Sequence, residues 1–306
     1  MEEKNGGHSL KMRYFQFGNG VKKIFFTAGI HGIENTSIQV AFELLRIFKN
    51  EKLNYKVGII PLVNLEGTKN ESRENPLDGK DINDCFSDIL IESSSGQIAQ
   101  NIWEIAKEYE WIVDLHSAGF ARYLPHLIIF DEKVLEDVKY FGFNFIIKRE
   151  TGKSGNKNSL LAFAAQKGKK VCALELGGGQ AVFTDDISYS LKSIINFLYH
   201  INLLNGPENE SPTKSDQIYL NDCRKIIIAP FKGLLFFKKR LGDTVKKNDI
   251  VAELLKLNTL ELTELDSTIS GKIIYMRTKN NVNSGETAFM ILPEKREVKT
   301  NHNRIQ

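Results

Sequence analysis

Two hydrophobic rhythms run through the first two-thirds of the chain. Residues 22–28 (KKIFFTA) form a continuous apolar run, the pattern of a strand covered on both faces. Residues 36–49 then carry Ile38, Ala41, Phe42, Leu45 and Phe48 at spacings that share one helical face. Residues 55–61 predict a second strand, 97–109 a helix and 111–115 another buried strand. Further along, 126–130 reads as a strand, 132–141 as a helix, 160–166 as a short helix, 170–176 as a strand and 187–204 as a last helix. Strands alternating with helices predict an α/β domain on a largely parallel sheet. Residues 62–95 interrupt the alternation, being polar, rich in Asn, Asp and Gly, and without a sustained period. A connection that long inside a compact domain is usually functional.

The rhythm changes after residue 205, which sets the main domain at 1–205. Residues 206–217 are polar, contain Pro207 and Pro212, and predict a linker. From 218 to 295 short apolar runs are divided by Gly, Asp and Asn with no long helical period, so a small all-β module is expected. The polar tail at 296–306 is expected to fray.

Composition narrows the classes. The 306 residues include 41 Lys and Arg against 38 Asp and Glu, a formal net charge of +3. That near balance argues against a nucleic-acid binder, which carries a dense basic excess. No apolar run approaches the roughly 18 residues of a membrane helix, and residues 1–16 lack the apolar core of a secretory leader. Cys85, Cys172 and Cys223 are few, odd in number and far apart. They fit a reducing compartment and exclude a disulfide scaffold or a Cys-type zinc finger. A cytoplasmic protein with neither a membrane nor a nucleic-acid partner is expected.

His31-Gly32-Ile33-Glu34 stands where the first strand ends and a helix begins. In open α/β sheets ligands gather at the carboxyl ends of strands. Asp114-Leu115-His116-Ser117 also ends a buried strand, and neighbouring strands would bring His116 beside His31 and Glu34. Two His, one Glu and an open fourth position compose a catalytic zinc shell. Each histidine alone is more simply a polar loop cap; the two together at strand ends favour metal. Glu175, at the C-terminal end of an apolar strand, fits a general base close to a metal but not bound to it. A salt bridge to a loop Lys or Arg is the alternative. A developing oxyanion needs a fixed cation or donors. The long loop offers Asn64, Arg73, Asp81 and Asn83, with Arg73 otherwise a solvated surface charge. His126 is expected to be a satisfied core histidine.

These blocks, in this order, resemble the succinylglutamate desuccinylase/aspartoacylase branch of the zinc carboxypeptidase superfamily. The resemblance rests on His31-x-x-Glu34, Asn64 and Arg73, Asp81-Ile82-Asn83, Asp114-Leu115-His116 and Glu175-Leu176-Gly177, over roughly residues 20–205. It implies a three-layer, mainly parallel α/β fold of the zinc-carboxypeptidase type, followed by a small barrel-like β module. It implies that His31, Glu34 and His116 bind one Zn2+ per chain. Glu175 would activate the water and later protonate the leaving amine, while Arg73 polarises the scissile carbonyl. Asn83, Asn64 and the residue at position 84 would meet the substrate, and Asp114 would orient a ligand from behind. The implied reaction is hydrolysis of an amide in a small N-acylated amino acid or amine.

One position departs from the pattern. Members often read Asp-Leu-Asn-Arg where this chain reads Asp81-Ile82-Asn83-Asp84. The usual Arg clamps a substrate carboxylate with its fork, whereas Asp84 would repel one. Either Asp84 meets a neutral or cationic group such as an amine, or it points away and another residue, Arg122 or Lys153, holds the carboxylate.

The C-terminal module resembles a lipoyl/biotinyl-type barrel, on Gly242-Asp243-x-Val245, Ala252-Glu253 and Ser270-Gly271-Lys272-Ile273. No Lys sits at the expected hairpin tip near Asn258-Thr259, and Lys256 lies off it. The module is therefore expected to be structural, or to join copies of the chain, and not to carry a swinging arm. Two other readings stand beside the deacylase. A metallocarboxypeptidase on short peptides is disfavoured by Asp84, since that reaction captures a terminal carboxylate. A non-catalytic zinc-binding module is the third.

Overall fold

A computed structural model describes residues 2–5, 12–87, 92–150, 158–206 and 218–293, with 2–5 and 218–221 described through their backbone. The expected linker, apart from Gly206, lies outside the described residues, as do Lys153 and the tail at 296–306.

The strands of the first part are β1 (Glu2–Asn5), β2 (Arg13–Phe17), β3 (Lys23–Ala28), β4 (Lys56–Ile60), β5 (Trp111–His116), β6 (Ala121–Tyr123), β7 (His126–Ile129), β8 (Phe145–Lys148), β9 (Lys170–Glu175) and β10 (Ile218–Asn221). Its helices are α1 (Asn35–Asn50), α2 (Leu65–Lys69), α3 (Ser94–Ala106), α4 (Leu135–Val138), α5 (Leu160–Gln166) and α6 (Thr184–His200). The main sheet runs β1-β2-β4-β3-β5-β9-β7-β8-β10. Five of its eight pairings are parallel. The antiparallel ones are β1-β2, β2-β4 and β9-β7.

The continuous apolar runs of β3, β5 and β9 follow from helices on both faces. Strand alternation sends Ile24, Phe26 and Ala28 of β3, with Trp111 and Val113 of β5, into one core with Val40, Leu44 and Phe48 of α1 and Phe197 of α6. Phe25, Ile112 and Val171 face the other way, onto Ile98 and Ile102 of α3 and Leu160 of α5. Two cores around one sheet make the three-layer architecture.

Three differences from the sequence reading stand out, two with local causes and one from a distant pairing. The single helix expected over 132–141 is broken into a 3-10 turn at Glu132–Val134, α4, and a second 3-10 turn at Lys139–Phe141 that ends at left-handed Gly142. The long loop folds into α2 and a 3-10 turn at Ile82–Asp84, each capped by its own Asn64 or Asp81 side chain. Ile218–Asn221, assigned from sequence to the C-terminal module, pairs in parallel with β8 and forms the far edge of the main sheet.

The remaining strands are β11 (Lys225–Ile228), β12 (Gly233–Phe237), β13 (Thr244–Val245), β14 (Ile250–Lys256), β15 (Glu261–Asp266), β16 (Gly271–Arg277), β17 (Asn281–Val282) and β18 (Thr287–Pro293). They form two antiparallel sheets, β11-β18-β16-β13 and β15-β14-β12-β17, around a core that includes Leu235, Val251, Leu254, Ile273 and Phe289. The β14-β15 hairpin turns at residues 257–260, and Lys256 ends β14 before it. β6 of the first part pairs with β16, Tyr123 opposite Tyr275, and so joins the two parts by backbone hydrogen bonds. No described helix is long and apolar enough to cross a membrane.

Candidate active site

The carboxyl ends of β3, β5 and β9 lie side by side because these three strands are parallel neighbours. Ala28 is in register with Leu115, and His116 with Glu175. The chain leaving β3 delivers His31 and Glu34. Gly32 between them is required by packing: a Cβ there would lie 2.1 Å from the backbone carbon of Gly67 in α2. Glu34 occupies the N-cap of α1 but makes no capping bond. A side-chain cap is worth about 1 kcal/mol, and here the carboxylate is turned to other partners. Its Oε1 lies 2.6 Å from His31 Nδ1 and its Oε2 lies 3.1 Å from His116 Nδ1, while Ser117 N donates to Oε2 at 3.0 Å.

The His31, Glu34 and His116 ligand atoms all lie within 4.8 Å of one another, and all three residues are buried. Each ring is fixed from behind. His31 Nε2 is 3.1 Å from Asp81 Oδ1, and His116 Nε2 is 2.8 Å from Asp114 Oδ2. Thr27 Oγ1 donates to Asp114 Oδ1 at 2.6 Å. Carboxylates behind both imidazoles, with Nδ1 turned inward, are the arrangement that orients histidines toward a divalent cation. The donor set fits zinc: two nitrogens and a carboxylate, with room for a fourth ligand.

Charge is concentrated here. Burial opposes the Glu34 carboxylate, yet His31 and His116 outweigh it and hold its pKa well below the usual range. Burial likewise opposes a charge on His116, but Asp114 and Glu34 raise its pKa well above the ordinary value. His31 is raised too, against its burial, chiefly by Glu34. A cation bound at these donors takes the place of those protons.

A cavity of about 300 Å³ opens beside the cluster. Arg73, Asn83 and Glu175 line it. Arg73 Nη2 donates to Asp81 Oδ2 at 3.0 Å, and its Nη1 lies 3.6 Å from Glu34 Oε1. Asp81 therefore braces both His31 and Arg73, a double role that the sequence did not single out. Asn83 Oδ1 accepts from Leu160 N at 3.1 Å. Burial raises the Glu175 pKa, Glu34 adds to the rise, and His116, Arg149 and Arg224 oppose it.

Asn64 lies outside the cavity wall. It caps α2 through Gly67 N at 2.8 Å, and its Nδ2 donates to the Arg73 carbonyl at 3.3 Å. Asp84 is exposed and also outside the wall. Arg122 is outside it as well: Nε and Nη2 fork onto Asp186 at 3.0 and 2.7 Å. Among the cavity-lining residues that sequence reasoning missed are Tyr123, Arg149, Tyr275 and Met290. The last two come from β16 and β18, and nothing local in their runs distinguishes them from core positions.

Residues 20–201 match the family described as succinylglutamate desuccinylase/aspartoacylase catalytic domain. The chain belongs to the succinylglutamate desuccinylase/aspartoacylase family. Within this family the chain is similar to the N-alpha-acetyl-L-2,4-diaminobutyric acid deacetylase of Halomonas elongata, 27% identical over 281 residues, covering 87% of this chain and 80% of that protein. Among solved structures it resembles a succinylglutamate desuccinylase/aspartoacylase from Rhodobacter sphaeroides, with a TM-score of 0.80 at 18% identity over 94% of this chain and 90% of the other. The product-bound ectoine utilization protein EutE (DoeB) from Ruegeria pomeroyi gives a TM-score of 0.80 at 20% identity, covering 92% and 88% of the two chains. At these identities the solved structures of the succinylglutamate desuccinylase/aspartoacylase family establish the fold, which includes the C-terminal sheets.

Proposed function

We propose that the chain is a zinc-dependent deacylase that hydrolyses the amide of a small N-acylated amino acid, with N-acetyl-2,4-diaminobutyrate as the type substrate. The observation that carries this reading is the convergence of the His31, Glu34 and His116 donors with Glu175 and Arg73 on one cavity. His31, Glu34 and His116 would hold the metal, which when bound supplies Lewis acidity and acidifies a nucleophilic water.

The remaining steps belong to the chain's own residues. Glu175, outside the ligand set and partly desolvated, accepts a proton from the attacking water and delivers it to the leaving nitrogen. Arg73, fixed by Asp81 and held through its carbonyl by Asn64, places its guanidinium where negative charge develops on the carbonyl oxygen. Asn83 has one side-chain oxygen engaged by Leu160 N, which leaves its amide donors for the substrate. Asn64 then acts through Arg73 instead of touching the substrate. Asp84 is exposed and outside the cavity wall, so it would favour a cationic side chain through its charge and not through contact. The Halomonas elongata relative is named for a substrate that carries such an amine. We also place the protein in the cytoplasm, where its free Cys85, Cys172 and Cys223 would stay reduced.

The test pairs metal analysis with turnover. Wild type should carry about one zinc per chain and release acetate from N-acetyl-2,4-diaminobutyrate, while His116→Ala loses both. Metal-free wild type after zinc is supplied, or a zinc-loaded protein that cleaves only peptides with a free C-terminus, would overturn the deacylase reading.

A further inference from the structure

The departure at Asp84 leaves a question of charge. An N-acylated amino acid presents a carboxylate, and the cavity wall must either hold it or repel it. Among the described residues two arginines line the cavity, Arg73 and Arg149. Arg73 is engaged by Asp81 and sits beside Glu34.

Arg149 follows β8 directly, and its backbone N donates to Ile129 O at 2.8 Å. Its Nε donates to Asp222 Oδ2 at 3.2 Å. Among the described residues its two Nη groups make no hydrogen bond to protein, and its side chain is 20% exposed. Asp222 is itself anchored. It follows β10, and its N donates to Lys148 O at 2.8 Å. Arg224 closes the group by donating Nε to Asp222 Oδ1 at 2.8 Å and Nη2 to Oδ2 at 2.7 Å, from a side chain only 8% exposed. One carboxylate between two guanidiniums leaves the group one net positive charge, and Arg149 is its member on the cavity wall.

We infer that Arg149, held rigid by the Asp222–Arg224 pair, is the anchor for the carboxylate of the substrate's amino-acid part, through its free Nη edge. The inference rests on the deacylase reading and narrows its substrate class to N-acylated amino acids with an unmodified carboxyl group. A guanidinium fixed through Nε presents its Nη groups in the planar geometry a carboxylate matches. Preorganisation by Asp222 lowers the ordering cost of that contact. β10 delivers Asp222 to Arg149, since Asp222 directly follows it and its N donates to Lys148 O.

The experiment compares N-acetyl-2,4-diaminobutyrate with its carboxamide in zinc-loaded wild type, Arg149→Gln and Arg149→Lys. Calorimetric binding of the product 2,4-diaminobutyrate is measured in parallel. Wild type should favour the acid roughly 10- to 100-fold through KM, the range expected for charge-assisted hydrogen bonds. Arg149→Gln should erase that preference by raising the KM of the acid toward that of the carboxamide, with Arg149→Lys intermediate. Product binding should weaken in the same order. An unchanged acid-to-carboxamide ratio in both variants overturns the inference. So does an equal fall for both substrates with a displaced pH profile, which would assign Arg149 to the electrostatics of Glu175. Hydrolysis of neither substrate by wild type refutes the deacylase reading alone. The binding arm then decides the anchor: product bound by wild type and weakened in Arg149→Gln supports it, and equal or absent binding overturns it.

Discussion

His126 should make the protein acid-sensitive, and its surroundings set the size of the effect. Its side chain is fully buried, Nδ1 donates to the Leu124 carbonyl at 2.8 Å, and Nε2 has no hydrogen-bond partner among the described residues. The expectation of a satisfied core histidine is thus met at one nitrogen only. Burial, reinforced by Arg224, pushes its pKa down from 6.5 to about 3. The folded pKa is depressed, so the unfolded chain takes up a proton that the native state refuses. Stability is intact above the unfolded value and falls as pH drops between 6.5 and about 3. At about 1.4 kcal/mol per pH unit, the loss is about 2 kcal/mol at pH 5 and about 4 kcal/mol by pH 3. His126→Leu removes the titration, keeps most of the volume against Tyr123, and gives up one hydrogen bond worth about 1 kcal/mol. Wild type should be the more stable by about 1 kcal/mol at pH 7.5 and the less stable by about 1 kcal/mol at pH 5. Urea unfolding of both proteins at the two pH values measures this. His31 and His116 titrate in both proteins and cancel in the difference. A gap that is the same at both pH values would refute the reasoning.

Three further outcomes concern the chemistry. Glu175→Gln should lower kcat by roughly 10²- to 10⁴-fold with zinc content unchanged, and zinc loss in that variant would mean Glu175 is a ligand. Burial and Glu34 raise the Glu175 pKa above its ordinary 4.5, and a base must be ionised, so kcat/KM should fall on acidification from a limb above that value. Asp114→Asn should weaken zinc binding roughly 10- to 100-fold in chelator competition; unchanged affinity would remove its orienting role. Asp84→Arg should raise the KM for substrates with a cationic side chain, and unchanged turnover of amine and carboxylate substrates would dismiss Asp84 from selectivity.

The sequence discloses the parts of this protein that are local. His31, Glu34, His116 and Glu175 could be found because each ends or follows an apolar run, and parallel strand ends collect on one edge. The central strands were legible for the same reason, being apolar on both faces. What remained hidden depends on partners distant in the chain. Asp81 sits 50 residues from His31, and its own turn gives no sign of the contact. β10 is a four-residue strand whose place comes from pairing with β8, not from its own pattern. Arg149 acquires its posture from Asp222, 73 residues on. Asn64 was legible as a site residue but not as the cap and brace it is, since a capping side chain and a substrate contact need the same amide.

The segment that identifies the family ends at residue 201, yet Asp222, Arg224, Tyr275 and Met290 lie beyond it. The proposed carboxylate anchor Arg149 lies inside that segment, but its partners Asp222 and Arg224 and two residues of the cavity wall lie outside it. If Arg149 is the anchor, two homologues with identical metal shells would differ in substrate through changes at its distant partners. A comparison confined to the recognised segment would call them equivalent. The join constrains such changes, because besides the main-chain pairing of β6 with β16 it buries Phe145 and Ile147 against Ile274 and Leu292. A graft of a relative's residues from 218 onward would therefore have to keep Ile274 and Leu292 for that packing, while leaving the His31, Glu34 and His116 shell untouched.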